Sequence, residues 1–388
     1  MSRDELAGRA AAGYLREYGR PPEGVWFAPG RVNLIGEHTD YTGGFALPFA
    51  LGQGVAVAAG RAEASGADAI TVWSRQEDTG AVTVPLADLS PGSVSGWAAY
   101  PLGMAWSLTA AGCHLGGTSI AIDSDLAMGA GLSSSAALEC AVALALTELH
   151  ECSLPRGDLV SLASRAENEF AGAPTGIMDQ SAALLSLPGH ALLLDCRSGH
   201  AEAVPLDLAA ARLAILVLDT GARHALTDGR YAARRRSCEA AARELGVASL
   251  RDLADDLGVV SGLAEPELRR RARHVVTENR RVLLVADLLR SGRLASAGPL
   301  LSQSHASLRD DFEVSWPRAD VAVDAALSAG AAGARMVGGG FGGSVIVLAA
   351  AAETARVTAA VAAAFAGHGW PPPAVTEAVP SGPAQRLR

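Results

Sequence analysis

Ala28-Pro29-Gly30-Arg31-Val32-Asn33-Leu34-Ile35-Gly36-Glu37-His38-Thr39-Asp40-Tyr41 packs an arginine, an asparagine, a histidine and two carboxylates into one short stretch, where Pro29 and the glycines oppose a regular helix. Such polar density on a loop suits a polyhydroxylated ligand. Carboxylates accept hydrogen bonds from neighbouring hydroxyls, and a wrong stereoisomer would leave buried polar groups unpaired at about 1–3 kcal/mol each. A capped surface turn would use the same residue types. Further along, Met128-Gly129-Ala130-Gly131-Leu132-Ser133-Ser134-Ser135-Ala136-Ala137 runs into an alanine- and leucine-rich segment that reaches His150 without Gly or Pro, the composition of a buried helix. Free amides and the positive dipole end at that helix start hold an anion without lysine; an ordinary serine cap is the alternative. A third loop, Gly338-Gly339-Gly340-Phe341-Gly342-Gly343, formally contains GxGxxG. A dinucleotide loop runs from strand into helix, however, and Ser344-Val345-Ile346-Val347-Leu348 reads as a strand. A glycine hairpin pressed against the other loops, or against a nucleotide, fits that context; a purely structural hairpin fits it too.

Between the second and third loops lies Arg165-Ala166-Glu167-Asn168-Glu169-Phe170-Ala171-Gly172-Ala173-Pro174-Thr175-Gly176-Ile177-Met178-Asp179-Gln180-Ser181. Asp179 stands in an otherwise apolar turn, where a carboxylate is either a helix cap or a catalytic group. Glu167, at the end of a helical stretch, reads on its own as solvated.

The chain has 388 residues, 49% of them hydrophobic and 19% charged, which fits a globular protein of two domains at roughly 100–200 residues per domain. The boundary falls near 205, giving 1–205 and 206–388. Every one of the 32 basic residues is arginine, because the sequence contains no lysine. That excludes a Walker-A clamp, a protein-kinase β3 lysine and a Schiff base. A net charge of −9 argues against nucleic-acid or anionic-membrane partners. The arginine-dense turns Arg234–Arg236 and Arg269–Arg273 accordingly read as solvated helix faces. The five cysteines are widely spaced with no CxxC, which points to thiols in a reducing, cytoplasmic compartment. The amino terminus carries charge throughout and has no apolar core of a secretion signal. Val345–Gly367, the most membrane-like stretch, is interrupted by Glu353 and Arg356 and reads as strand then helix. A helix is expected up to Tyr18, short strands at Gly54–Ala59, Ala69–Trp73, Leu192–Asp195 and Leu213–Asp219, and amphipathic helices beyond Tyr231. The segment after Pro371-Pro372-Pro373 reads as loosely ordered, above all from Pro380.

Taken together, in this order, these segments resemble the galactokinase family of the GHMP small-molecule kinase superfamily. Gly30–Gly44 is similar to the family's sugar signature almost residue for residue, and the serine and glycine loops resemble the superfamily's second and third motifs. The resemblance implies an α+β two-domain GHMP kinase fold with the active site in the cleft between the domains. It also implies transfer of phosphate from ATP to the anomeric hydroxyl of α-D-galactose, with Mg²⁺. By position in the motifs, Asp179 and Arg31 correspond to the catalytic pair, and Glu37, His38, Asp40, Gly176 and Tyr231 to sugar-contacting residues. Tyr231 lies in Asp228-Gly229-Arg230-Tyr231-Ala232-Ala233-Arg234-Arg235, similar to a tyrosine-then-arginine segment of the family. Gly129, Ala130, Gly131, Leu132, Ser133, Ser134 and Ser135 would wrap the phosphates, Ser135 and Glu167 would hold the metal, and Trp97 and Tyr100 would lie beside adenine. Thr42, Val337 and Ser344 replace residues common in the family, and none of the replacements removes a chemical role.

The residue chemistry agrees with that implication. Phosphoryl transfer through a loose transition state needs positioning and charge stabilisation more than covalent chemistry. Asp179 is the expected proton acceptor. Arg31 beside it leaves two orders of events open, with the proton leaving early to Asp179 or late, after Arg31 and Mg²⁺ have stabilised developing charge. A non-catalytic galactose sensor is expected to lack a catalytic or phosphate-loop residue, whereas Arg31, Ser133–Ser135, Glu167 and Asp179 are all present. Kinases for N-acetylgalactosamine or arabinose are the neighbouring alternatives, because loops outside the signatures shape the pocket around C2 and C6. No protein partner is evident.

Overall fold

Strand β1 (Gly24–Asn33) is buried along its full length, and the two-residue period of a strand sorts its side chains into two cores. Trp26, Ala28 and Val32 enter the main hydrophobic cluster, while Val25 and Phe27 meet Leu6, Ala7, Ala10 and Tyr14 of helix α1 (Arg3–Tyr18). This is seen in a computed structural model that describes residues 1–62, 68–127, 129–222 and 229–388. Met128 and Asp228 of the second loop and the tyrosine segment lie outside the described residues.

Among the described residues, β1 belongs to a six-stranded sheet with β3 (Pro48–Arg61), β4 (Ala69–Ser74), β5 (Val82–Pro85), β6 (Thr118–Ser124) and β13 (Gln385–Arg386), in the order β13-β1-β3-β6-β4-β5. Helix α1 covers one face. On the other pack α2 (Ala99–Ala110), α3 (Ser134–Leu149), α4 (Arg156–Arg165) and α5 (Met178–Leu185). A small sheet of β2 (Phe45–Ala46), β7 (His190–Asp195) and β8 (His200–Pro205) adjoins them. The later chain builds a second sheet from β9 (Leu213–Ala222), β10 (Gly333–Val337), β11 (Gly343–Ala350) and β12 (Ala374–Ala378), ordered β10-β11-β9-β12. Helices α6 (Arg230–Glu244), α7 (Leu257–Ser261), α8 (Pro266–Arg290), α9 (Gly298–Asp310), α10 (Pro317–Ser328) and α11 (Thr354–Gly367) complete the structure.

Helix α8 joins the two halves. Its Leu268, Ala272, Val275 and Val276 enter the second cluster, and Val282, Val285, Ala286 and Leu289 enter the first. The third glycine motif is the turn of an antiparallel hairpin, with Val337 of β10 opposite Ser344 of β11. Val345–Gly367 is strand then helix, and no described helix is long and apolar enough to cross a membrane.

Three expectations are corrected. The tail is fixed, because small Ala378 and Ala384 fit the main core and the tail backbone donates to Ala50, Ala183 and Val25 carbonyls through Ser381, Ala384 and Leu387. Cys113 and Cys152, 39 residues apart, form a disulfide where the ends of α2 and α3 meet. Spacing along the chain cannot reveal a pair made by helix packing, and with that pair the argument for a reducing compartment falls. Arg271, finally, is 1% exposed rather than solvated. It bonds the Asp311 carbonyl and pairs with Glu313 and Glu267, so its charge is met inside the fold.

Deleting residues 381–388 removes β13, the 2.8 Å bond from Arg156 to the Ala384 carbonyl and the Arg386 guanidinium over Trp26. At about 1 kcal/mol per hydrogen bond and about 2–4 °C per kcal/mol, the thermal midpoint followed by circular dichroism should fall by several degrees. An unchanged midpoint would return the tail to the status of a loose end.

Candidate active site

The pairing of β1 with β3 shifts register between Pro29 and Arg31, and such a bulge re-aims the side chain that follows it. Gly30 lets the serine loop approach, since a Cβ there would stand 2.7 Å from the Leu132 carbonyl oxygen. The Arg31 N–H donates to that carbonyl at 3.1 Å. The Arg31 side chain then makes a fork. Nε donates to Asp179 Oδ1 at 2.8 Å, one terminal nitrogen to Oδ2 at 2.9 Å, and the other to the Gly131 carbonyl at 2.6 Å. Asp179 lies in the first turn of α5 but caps nothing, because Ile177 occupies the cap position. Ser133 Oγ–H donates to Asp179 Oδ2 as well. Ser133 stands at the cap position of α3 in a left-handed conformation (φ 59°) and makes no cap bond, so the serine is committed to Asp179 instead of to its own helix. Burial opposes the charge of Arg31, yet Asp179 and Glu37 outweigh it and hold the guanidinium above its ordinary value.

Behind this pair the first loop is held by the third. Glu37 is 2% exposed. It accepts from Asn33 at 2.7 Å and from the Gly338 N–H at 2.8 Å, with Arg335 at 3.6 Å. Burial still pushes its carboxyl upward, against the pull of Arg335 and Arg31. Burial pushes His38 down to about 3, so its ring is neutral. A single proton on Nε2 donates to the Gly339 carbonyl at 3.2 Å and leaves Nδ1 to accept from the Tyr41 hydroxyl at 2.8 Å. The Tyr231 ring lies 5.2 Å from the His38 ring. Asp40 presses against Gly176 so closely that a Cβ at 176 would collide with its carboxylate. Desolvation, then the nearby charge of Asp179, pushes Asp40 up to about 6.

The phosphate loop and metal candidates meet one turn further in. Glu167 sits in a π-helical turn (Ala166–Phe170). Its Oε1 accepts from Ser135 Oγ at 2.7 Å, and its Oε2 from Thr175 and Gln180 at 2.7 Å each. Burial raises its pKa. The amides of Ser134, Ser135 and Ala136 precede the first intrahelical bond of α3, from the Ala137 N–H to the Ser133 carbonyl, and so remain available to an anion. A cavity of about 140 Å³ is lined by Arg31, Glu37, His38, Asp40, Gly176, Asp179 and Tyr231 together with Gly129, Gly131, Leu132, Ser133, Ser134, Ser135 and Glu167. A second, of about 410 Å³, is lined by Trp97 and Tyr100 and shares Ser134 and Ser135 as its wall. Ala130 alone of the expected residues lines neither; it is buried and its carbonyl accepts from Ser344. Sequence reading missed Thr175, Gln180, Arg335 and the buried Glu139 on α3. Gln180 and Thr175 stood beside the chosen positions, but only the fold shows that they face Glu167.

Comparison with known proteins finds relatives along nearly the whole chain. Residues 12–61 match the galactokinase galactose-binding signature, 99–186 the GHMP kinases N terminal domain and 285–367 the GHMP kinases C terminal domain. The chain is 49% identical to a galactokinase of Streptomyces coelicolor over 99% of both chains. It is 44% identical to one from Bos taurus over 87% of this chain and 86% of that one. A solved structure of Lactococcus lactis galactokinase complexed with galactose superposes with a TM-score of 0.92 at 31% identity, covering 98% of this chain and 99% of the other.

Asp40 supplies a test of the site's electrostatics. An ordinary value of 3.8 against about 6 in the fold means that the folded protein binds the proton more tightly, so this group lowers stability as pH rises from 4 through 6. Asp40→Asn should therefore melt above the parent at pH 7.5, with the gap closing by pH 4.5. A gap independent of pH would refute the assignment.

Proposed function

The chain belongs to the galactokinase family of the GHMP kinases, and from that premise we propose that its joined cavities transfer the γ-phosphoryl group of ATP to the anomeric hydroxyl of α-D-galactose. The observation that supports this most directly is the shared wall. A ligand with its base beside Trp97 and Tyr100 and its far end in the smaller cavity would pass Ser134 and Ser135, which line both, where the amides of the α3 start can receive phosphate.

In this reading Glu37, His38, Asp40 and Tyr231 bind the sugar, with Gly176 admitting Asp40, and direct the anomeric hydroxyl to Asp179. The bond from γ-phosphorus to the β-phosphate oxygen breaks, a bond to the sugar oxygen forms, and the hydroxyl proton passes to Asp179. Arg31 and Ser133 already occupy lone pairs of that carboxylate. Arg31 weakens the carboxylate as a base, so Asp179 takes the proton as the P–O bond forms and the sugar hydroxyl becomes acidic, in keeping with a loose transition state. Arg31 holds the carboxylate in place and faces the developing charge.

Mg²⁺ fits the residues present. Ser135 Oγ and Glu167 Oε1 are oxygen donors 2.7 Å apart at the cavity wall, the ligand chemistry a Mg²⁺ ion takes alongside phosphates and water. They would hold it, and when bound it would neutralise phosphate charge. Residues 1–205 supply most of the sugar and phosphate contacts, and 206–388 close the cleft with Tyr231 and the glycine hairpin. A requirement for ATP as co-substrate is the support that the cytoplasmic reading retains.

Asp179→Asn should retain galactose binding by calorimetry while coupled ADP detection shows turnover falling by about 10²–10⁴. Near-normal turnover would remove Asp179 from its role. A sugar panel in the same assay tests the substrate: faster ADP release with N-acetylgalactosamine or arabinose than with galactose would overturn it.

A further inference from the structure

Glu139 is a carboxyl at 0% exposure in a helix made mainly of alanine and leucine, and no step described so far uses it. It follows Ser135 by one helical turn and shares its face of α3. A buried polar group persists where it is hydrogen-bonded. The partner is Gln180 of α5, the residue after Asp179, whose Nε2 reaches Glu139 Oε2 at 3.4 Å and Glu167 Oε2 at 2.7 Å. One amide nitrogen thus directs its two hydrogens to two carboxyls carried on different elements. The other oxygens of the pair, Glu139 Oε1 and Gln180 Oε1, are buried and without a donor among the described residues. Burial pushes the Glu139 carboxyl well above its ordinary value, and in its protonated form it carries a donor as well as an acceptor to offer the amide.

We propose that Glu139 is a positioning residue: acting through Gln180 it anchors Glu167 Oε2, so that Glu167 Oε1 and Ser135 face the cavity as the pair that holds the metal of the metal–nucleotide complex. This rests on reading Ser135 and Glu167 as that pair. Oε2 of Glu167 has two donors, Gln180 and Thr175, whereas Oε1 has Ser135, so the inner oxygen is pinned and the outer one is exchangeable. Without Glu139 the amide can rotate and present its oxygen to Glu167, which repels the carboxylate from its place.

The test is ADP binding by calorimetry over a series of Mg²⁺ concentrations, with galactose binding and the thermal midpoint measured on the same protein. In Glu139→Leu the Mg²⁺ needed for half-maximal ADP binding should rise about 10-fold or more while galactose affinity stays within about 2-fold. Glu139→Gln, which keeps a donor and an acceptor for Gln180, should restore most of the loss. If Glu139→Leu does not fold, Gln180→Leu carries the same expectation. A folded variant with unchanged Mg²⁺ dependence overturns the proposal, as does a parallel fall in galactose and nucleotide affinity, the sign of a merely structural role. Glu167→Gln separates the two layers. If it shifts the Mg²⁺ dependence and Glu139→Leu does not, the positioning role is wrong; if it shifts nothing, the metal assignment falls and the positioning role with it.

Discussion

The guanidinium of Arg31 is the junction on which the site depends. It joins strand β1, the serine loop and the start of α5 through Gly131 and both oxygens of Asp179. A planar fork with fixed donor directions does this in a way that an ammonium point charge would not, and the geometry demands it, since three segments distant in sequence must agree to within tenths of an ångström. The backbone has adjusted to it. A bulge precedes Arg31, Gly30 clears the Leu132 carbonyl, and Ser133 accepts a left-handed conformation to turn its hydroxyl toward Asp179. Each is a local concession sustained by the packed elements around it.

The electrostatic balance is unusual for a site that receives a polyanion. Glu37, Asp40, Glu139 and Glu167 are all pushed upward by burial, and no lysine exists to offset them. Arg31 and Arg335 are already engaged by carboxylates and carbonyls. On the proposed function, the attraction for phosphate would come from the α3 amides and from a metal ion accompanying the nucleotide. In that reading the usual task of lysine is divided between backbone and ion.

The sequence made most of the site legible because its chemistry is concentrated in loops where local residue types are constrained: the polar cluster at 28–41, the serines entering a helix free of Gly and Pro, and the glycines before a strand. The helices and strands that flank these loops also followed their periodicity, as α1, α3, β7 and β11 show. What was not legible depends on which surfaces the fold brings together. Glu139 looked like one charge in an apolar helix, and Gln180 like a neighbour of Asp179; their link needs α3, α5 and the π-turn in place. Arg271 belonged to an arginine run that charge patterning assigns to solvent, yet packing of α8 against the 311–313 turn buries it. The tail carries prolines and glycine, a loop composition, but sheet edges accept short segments through backbone bonds, which composition does not register.

That tail also sets an order of events during synthesis. Strand β13 closes the open edge of β1, and β1 is the strand that carries Arg31. Trp26 on that strand is roofed by Arg386, which also reaches Glu148, the acceptor of the indole N–H. Domains usually fold from the amino terminus as the ribosome releases them, but here the first sheet lacks its edge strand until residues 385–386 emerge. A nascent chain stalled before residue 385 therefore presents an unpaired β1 edge, a surface that neighbouring chains can pair with.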